Sequence, residues 1–200
     1  MDSSIKESFN ESVKRIKNNQ IIELREELHF INDPKKQFVV SKIAQLGLIT
    51  EDRFNFFQEV CKIIAVLLET ELVKILELTP DNTKLILIAG VGWKEKYVGN
   101  AYVGVDFSSQ AGYTLLQQEP VIVNNFKNEK RFRRPKLLHE HNVESGISVT
   151  IAGKLKTFGI LGAHSVKERN FTQDDVNIMS ALSNICSATI IMHEKFQLLK

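Results

Sequence analysis

Two histidines separated by one residue, His139 and His141, form a pattern that could bind a metal ion or haem. On a β-strand this spacing would place both imidazoles on one face, where a third ligand could complete a metal site. On the helical turn expected for Lys136–His141, the two side chains instead point about 200° apart around the axis. No cysteine or carboxylate is positioned to join them. The sequence therefore favours a solvated or capping role for both histidines and predicts no metal site.

The two cysteines, Cys61 and Cys186, each lie within an apolar helical pattern. Thiols in that setting behave as small buried hydrophobic groups rather than as nucleophiles. Neither belongs to a CxxC pair, and nothing indicates a disulfide framework, which is typical of a reducing compartment. The chain also contains no GxSxG nucleophile motif and no P-loop. No catalytic residue is predicted from these patterns.

A basic stretch in the second half of the chain could bind a phosphate or an acidic partner surface. It is interrupted by Glu129 and Phe132, and a solvated loop is the favoured interpretation. Its basic residues are Lys127, Lys130, Arg131, Arg133, Arg134 and Lys136. The net charge of +2 is too small to create a general field for nucleic-acid binding, so no nucleic-acid partner is expected.

The composition, 43% hydrophobic and 25% charged, predicts an ordinary soluble domain with a proper core. Met1–Asn10 is polar and lacks the apolar region of a secretory signal. No apolar run approaches the roughly 18–20 residues that span a bilayer. We therefore expect a cytoplasmic protein with no membrane partner.

Helical periodicity marks the N-terminal part of the chain. From Ile5 to Ile31 apolar residues recur on an amphipathic helix that Pro34 stops or kinks. Lys35–Leu46 is compatible with a second short helix ending at Gly47. Thr50 is expected to cap a stronger helix. Its buried face is predicted from Phe54, Phe57, Cys61, Ile64 and Leu68.

Alternating residues predict β-strands in the middle of the chain. Val73–Thr79 and Leu85–Ala89 flank a Pro80-Asp81-Asn82-Thr83 turn and form a hairpin. Further strands are predicted over Val121–Val123, Ser145–Ala152 and Thr157–His164. An antiparallel sheet with helices gathered on its faces is the natural arrangement for this order of elements.

Two more helices are indicated by their capping residues. Ser108 can cap a short helix before the strand at Val121. Thr172 and Asp175 have the spacing of a capping box and open a long helix that continues towards the C-terminus.

Four segments, taken together in order and spacing, resemble the GAF domain family over roughly Gln45–Lys195. They are LILIAGVGW from Leu85, SSQAGYTLLQQEPVIV from Ser108, RFRRPKLLHEHNVESGISVTI from Arg131 and FGILGAHSVKERNFTQDDVNIMSAL from Phe158. The resemblance implies an α+β, PAS-related fold with a six-stranded antiparallel sheet, helices on both faces and long terminal helices. It also implies a non-catalytic regulatory domain over residues 35–200, with residues 172–200 as a signalling helix and residues 1–34 as a separate amphipathic helix.

Three specialised activities occur among GAF domains, and the sequence supports none of them. A covalent bilin needs a cysteine in the segment corresponding to Arg133–Asn142, which has none, so the cofactor remains unknown. Cyclic-nucleotide binding is suggested by Phe171 and Asp174-Asp175, but Ala163-His164-Ser165 stand where an Asn-Lys pair is expected. Reduction of free methionine sulfoxide requires cysteines that face the pocket, whereas Cys61 and Cys186 are expected on helices behind the sheet.

A pocket in this family would lie on the sheet face covered by loops and short helices. Concave sites for small molecules are lined mostly by apolar groups with a few polar ones. The candidate ligand-binding residues are Trp93, Phe107, Tyr113, Phe126, Phe132 and His139. The same aromatic side chains could equally fill a core that holds no ligand.

The C-terminal helix carries apolar residues at alternating spacings of four and three, as a coiled coil requires. They are Ile178, Leu182, Ile185, Thr189, Met192, Phe196 and Leu199. We predict a parallel homodimer through the terminal helices, and the alternative is a monomer with its N-terminal helix folded back. The candidate interface residues are Ile5, Phe9, Ile16, Leu24, Leu28, Ile185, Met192, Phe196 and Leu199.

The functional hypothesis is a sensory domain of a bacterial signal-transduction protein. It binds a small ligand and passes the signal through a helical homodimer to an output domain of histidine kinase or nucleotide cyclase type, or to a partner protein. The first alternative is a structural dimerisation and interaction module without a ligand. The second is a redox enzyme similar to free methionine sulfoxide reductase.

Overall fold

An antiparallel sheet of six strands organises the computed structural model, which describes residues 34–197. Around it the described chain forms five α-helices and one short 3-10 turn, Glu95–Tyr97. The helices are α1 Pro34–Ile49, α2 Arg53–Leu67, α3 Gln110–Gln117, α4 Lys136–His139 and α5 Gln173–Gln197. The strands are β1 Leu72–Leu78, β2 Lys84–Val91, β3 Tyr102–Gly104, β4 Val121–Val123, β5 Ser145–Ala152 and β6 Thr157–Ser165.

The strand order is β3-β2-β1-β6-β5-β4, and every neighbouring pair is antiparallel. The predicted α+β fold class with its six-stranded antiparallel sheet is confirmed, as are the hairpin and the three later strands. The sequence analysis did not predict β3, because three residues are too short to show alternation. The central strands β1 and β6 are buried for most of their length, so both faces of the sheet are covered.

One face of the sheet packs against α2 and α5, and α1 packs on these two helices; we call this the helix face. Phe57, Cys61 and Ile64 of α2 and Leu182 and Cys186 of α5 are fully buried there. The predicted stripe of α2 is therefore correct except at its first member, since Phe54 is 48% exposed.

Two of the three predicted caps are displaced along the chain. Asp52, not Thr50, caps α2, accepting hydrogen bonds from two backbone N–H groups, while the Thr50 hydroxyl donates to the Asp52 carbonyl. Ser109, not Ser108, caps α3, because the Ser108 hydroxyl is bonded to Asp106. A carboxylate or hydroxyl one or two positions along offers the same kind of acceptor, so composition alone does not separate the alternatives.

The capping box of α5 is present as predicted. The Thr172 backbone N–H donates to the Asp175 carboxylate at 2.8 Å, and the Asp175 N–H donates to the Thr172 hydroxyl at 3.3 Å. The box fixes the start of α5 directly after the loop that leaves β6.

The C-terminal helix uses its apolar stripe differently from the coiled-coil prediction. Ile178, Leu182 and Thr189 are buried in the domain's own core, and Ile185 packs against the same cluster. The first half of the predicted seam is therefore not available to a partner chain. Among the described residues only its far end remains open, where Phe196 is 61% exposed. Ile5, Phe9, Ile16, Leu24, Leu28 and Leu199 lie outside the described residues.

Helix α5 also has the length and composition of a membrane-crossing helix, with a mean hydropathy of 1.3 over its most apolar window. Half of that window is buried inside the domain. Packing against β5 and the other helices accounts for its apolar character as that of a core helix.

The predicted end of the short helix over Lys35–Leu46 is wrong by two residues, since α1 continues through Gly47 to Ile49. The glycine allows α1 and α5 to cross closely. A Cβ atom at position 47 would lie 2.5 Å from the Thr189 hydroxyl oxygen, and that hydroxyl contacts the Gly47 carbonyl at 3.3 Å.

The opposite face of the sheet, which we call the loop face, is covered by α3, α4 and the connecting loops. They close over a second apolar cluster that includes Leu76, Leu87, Leu138 and Ile160, all fully buried. The loop face therefore has an apolar core of its own.

We predict that Leu138→Ala lowers the free energy of unfolding by about 2–5 kcal/mol, because it leaves a cavity beneath α4. Leu155→Ala is the matched control, since Leu155 is 94% exposed and its change should stay within about 0.5 kcal/mol. Urea titrations followed by circular dichroism measure both. Equal, small effects would contradict a packed loop face.

Candidate functional site

A lysine lies in the middle of the loop face. Lys74 is on β1 between Leu72 and Leu76, and its side chain is only 3% exposed. Among residues 34–197 no carboxylate and no hydrogen-bond acceptor pairs with its amine. The nitrogen instead lies 5.1 Å from the centre of the Trp93 ring, a cation–π contact. A buried lysine without an anionic partner is rare, because its ammonium loses hydration without compensation.

A histidine on the neighbouring strand shares this environment. His164 of β6 is 1% exposed, and neither of its ring nitrogens has a hydrogen-bond partner in the described structure. Two glycines make room for its ring. A Cβ atom at position 146 would lie 2.2 Å from His164 Nδ1, and one at position 162 would lie 3.1 Å from Nε2 and 3.4 Å from Lys74 Cε. Gly146 and Gly162 thus form a floor under both basic side chains.

Trp93 closes the site from the side of the loop that follows β2. Its indole N–H donates to the Val73 carbonyl at 2.7 Å, which fixes the plane of the ring. The ring centre lies 4.9 Å from that of His141 and 5.8 Å from that of His164, both edge-on.

His141 is held by two backbone groups. Its Nε2 accepts from the Lys94 backbone N–H at 3.0 Å, so Nδ1 carries the proton and donates to the Leu137 carbonyl at 2.7 Å. This ring therefore ties α4 to the loop after β2 and has no free nitrogen for a ligand.

Gln110 brings a third unpartnered group to the site from the start of α3. Its side-chain amide nitrogen donates to the carbonyls of Val121 at 3.0 Å and Gly146 at 3.3 Å. Its carbonyl oxygen is buried and accepts no hydrogen bond in the described structure. We call Lys74, His164, Gln110, Trp93 and His141 the Lys74 cluster.

Electrostatics at the cluster follow from burial without a counter-charge. Burial lowers the pKa of Lys74 from the usual 10.5 to about 7. Burial, followed by the charge of Lys74, holds the pKa of His164 well below its usual range. At neutral pH the cluster therefore combines a neutral imidazole with an amine whose protonated form would be stabilised by an incoming anion.

The candidate pocket residues that were predicted from the sequence fall into two groups in the structure, one buried on the loop face and one exposed. Trp93, Phe126 and Phe132 are buried in the loop-face cluster, and Tyr113 packs against it. Phe107 is 52% exposed and contacts only the outer side of this group through the Tyr113 ring, 5.6 Å between centres. His139 is exposed and lies outside the cluster, whereas the nearby His141 belongs to it.

Sequence reasoning missed Lys74, His164 and Gln110. A signal for Lys74 was present, since a charged residue alternates with leucines at 72, 76 and 78 on a strand whose two faces are both apolar. His164 shows the same signal more weakly, lying among small and apolar residues within β6.

The cysteines lie on the other side of the sheet. Cys61 and Cys186 are fully buried in the helix-face core. Burial, with a smaller effect from Cys186, raises the pKa of the Cys61 thiol, and burial raises the pKa of Cys186 to about 12. Neither thiol reaches the Lys74 cluster, as expected for inert core residues.

No group of three or more His, Cys, Asp or Glu side chains able to hold a metal ion occurs within the described part of the chain. Several residues of the basic loop are paired within the domain. Arg131 forms a two-pronged bond with Glu129, at 2.9 and 2.6 Å, and Arg134 contacts Glu144 and the Val143 carbonyl. These pairs favour the structural interpretation of that loop.

The GAF domain model matches residues 52–190, well over half of the chain, and the chain belongs to the GAF domain family. A search of curated proteins finds no significant match.

Three solved structures illustrate the likeness. The GAF domain of an Acinetobacter phosphoenolpyruvate-protein phosphotransferase has a TM-score of 0.71 and 16% identity, covering 83% of this chain and 99% of that one. A segment of a methyl-accepting chemotaxis protein has a TM-score of 0.67 and 15% identity, with coverage of 78% and 98%. Free methionine-R-sulfoxide reductase from Neisseria meningitidis has a TM-score of 0.69 and 14% identity, with coverage of 80% and 91%. At these identities the likeness concerns the fold.

We predict that Lys74→Met stabilises the ligand-free protein, and that the gain shrinks as the pH rises. Between about pH 7 and 10.5 the unfolded chain holds a proton on Lys74 that the folded protein has released. The stability of the original protein therefore rises with pH in this window, by up to about 1.4 kcal/mol per unit, while the variant lacks this contribution. Below pH 7 the lysine is protonated in both states and the full cost of its burial is present.

The measurement is the free energy of unfolding in urea at pH 7 and pH 9.5 for both proteins. Lys84→Met removes an exposed lysine from the adjacent strand and controls for the loss of one positive charge. If Lys74→Met destabilised the protein at pH 7, or if its effect matched that of Lys84→Met at both pH values, the buried, unpaired amine would be contradicted.

Proposed function

We propose that this GAF domain is a non-catalytic sensory module of a signalling protein, and that it binds a small ligand on the loop face at the Lys74 cluster. The observation that carries the proposal is the unpartnered, buried polar set formed by Lys74, His164 and Gln110. Polar groups left unbonded in a core cost about 1–3 kcal/mol each, and more when charged. A ligand that bonds to them recovers that free energy, which is how perturbed polar clusters come to mark binding sites.

The connection between the cluster and α5 supports a signalling role. His164 is near the end of β6, and the chain then reaches α5 through a short loop held at both ends. The Ser145 hydroxyl donates to the Lys167 carbonyl at 2.7 Å, and Arg169 pairs with Asp175 in the capping box at 3.6 Å. A shift of β6 on ligand binding can therefore displace the start of α5. The proposed signal is a change between two positions of this helix.

We further propose that the domain forms a homodimer through its terminal helices. Apolar side chains remain exposed at the ends of α1 and α5, where Leu48 is 67%, Ile49 76% and Phe196 61% exposed. These residues border a common recess with Met192 and His193. The output is a kinase or cyclase type domain, or a partner protein, in the cytoplasm.

The redox alternative has less support than the sensory function. Cys61 and Cys186 belong to the core of the helix face, while the polar cluster is on the loop face. A thiol that is fully buried with a raised pKa is a poor nucleophile. A covalent bilin would likewise need a thiol on the loop face. We propose that the domain carries out no reaction of its own.

Native mass spectrometry of the purified protein at several concentrations tests the sensory function directly. We expect a dimer carrying a discrete excess mass, because the cluster retains a ligand that satisfies its polar groups. Replacing Lys74 with Met should remove the excess mass while leaving the dimer. A ligand-free protein would favour the structural dimerisation module, and a ligand-free monomer at all concentrations would contradict both.

The dimer is tested independently with Phe196→Glu. Burying a phenylalanine in an interface contributes about 1.5–3 kcal/mol, so a charge there should weaken the dimer by at least about tenfold in dissociation constant. Leu155→Glu, at an exposed leucine on the turn between β5 and β6, is the matched control. Sedimentation equilibrium measures both. Equal dissociation constants for the two variants would show that the end of α5 is not in the interface.

A further inference from the structure

Three buried groups of the Lys74 cluster are available to bond a ligand, and each has a different hydrogen-bonding capacity. Lys74 supplies an amine that can donate and carry a positive charge, and no acidic side chain of the described chain pairs with it. His164 supplies a ring with two free nitrogens, and Gln110 supplies one free carbonyl oxygen. Two basic groups and one acceptor are therefore left for a ligand.

The positions of these groups place them against one small area of the sheet. Lys74 is paired in register with Gly162, and His164 is paired with Gly146. Gln110 donates to the Gly146 carbonyl, so its amide lies at the edge of the same glycine floor. Trp93 closes the opposite side, 5.1 Å from the Lys74 nitrogen.

We propose, on the basis of the sensory function above, that the ligand is a small carboxylate with a hydroxyl group on the adjacent carbon. The carboxylate oxygens accept from the Lys74 ammonium and from one N–H of His164. The substituent donates to the Gln110 side-chain oxygen. Charge pairing with a buried ammonium supplies the affinity, and the neutral hydrogen bonds supply the orientation.

The charge balance of the cluster favours a carboxylate over other ligands. A neutral ligand would leave the Lys74 amine without a counter-charge in a buried site, at a cost that an anion removes. A dianion such as phosphate would bring two charges and four oxygens to a site with one ammonium and a single additional basic ring. Surplus buried oxygens would then remain unbonded, so phosphate is expected to bind more weakly.

The experiment titrates the protein, unfolded and refolded to remove any bound molecule, with sodium glycolate, sodium acetate, sodium phosphate or sodium chloride at constant ionic strength. Trp93 is the only tryptophan, so its fluorescence reports on the cluster directly. Glycolate should give a saturable change and bind more tightly than acetate or phosphate, while chloride gives none. Lys74→Met should weaken the binding of glycolate by about tenfold or more. Lys84→Met is the matched control and should bind glycolate as the original protein does.

The outcomes separate this inference from the sensory function. Because Lys74→Met is expected to fold more stably than the original protein, loss of binding in that variant would not reflect unfolding. Retained glycolate binding in Lys74→Met, or an equal response to phosphate, would overturn the carboxylate site. Equal affinity for acetate and glycolate would overturn the role of Gln110. A discrete bound mass without a carboxylate in native mass spectrometry would overturn this inference alone and leave the sensory function standing.

Discussion

The burial of the Lys74 amine is the constraint around which the loop face is arranged. A lysine on a strand covered on both faces has no route to solvent, so its neighbours must accommodate an amine without a counter-charge. The Gly162 backbone leaves space beneath it, and the Trp93 ring covers it. The Trp93 indole is held by its hydrogen bond to the Val73 carbonyl, and the His141 ring is held by two backbone groups. The side chains around the lysine are therefore fixed in position. We expect such an arrangement to lower the stability of the domain, as the proposed binding site requires.

The sequence was sufficient for the sheet and for the helix face, because both follow from periodicity and turn chemistry. Alternation over Val73–Thr79 and the Pro80–Thr83 turn specified the hairpin, and the stripe of α2 specified a buried face. The Thr172–Asp175 box was recognisable because two residues had to agree. At Thr50 and Ser108 the prediction of a helix cap rested on a single residue. The observed caps are nearby residues that also offer an oxygen acceptor, Asp52 and Ser109.

The candidate site was less predictable for a physical reason. Aromatic residues in the loops were visible as a group, but whether each points inward depends on loop geometry, and Phe107 and His139 do not. The polar residues of the site lie on regular elements, where a lysine or glutamine normally marks the solvent side. Lys74 reverses that expectation only because α3, α4 and the loops cover its face, and this cover is a property of the tertiary structure. The seam on α5 was ambiguous for a similar reason, since one periodicity serves both a sheet and a partner helix.

The contact between Gly47 and Thr189 is one of the places where α1 and α5 meet, and another is the hydrogen bond between His193 and the Thr50 carbonyl directly after α1. The Thr189 hydroxyl bonds the Ile185 carbonyl within α5 at 3.0 Å and also meets the Gly47 carbonyl of α1. The two helices are therefore held together at fixed contacts and cannot slide freely past each other. A force that tilts α5 from the sheet side must also tilt α1, and the reverse holds because coupling free energies are reciprocal. In the proposed sensory role, a displacement can therefore pass between α5 and α1 in either direction, so that each helix is both a source and a receiver of the change.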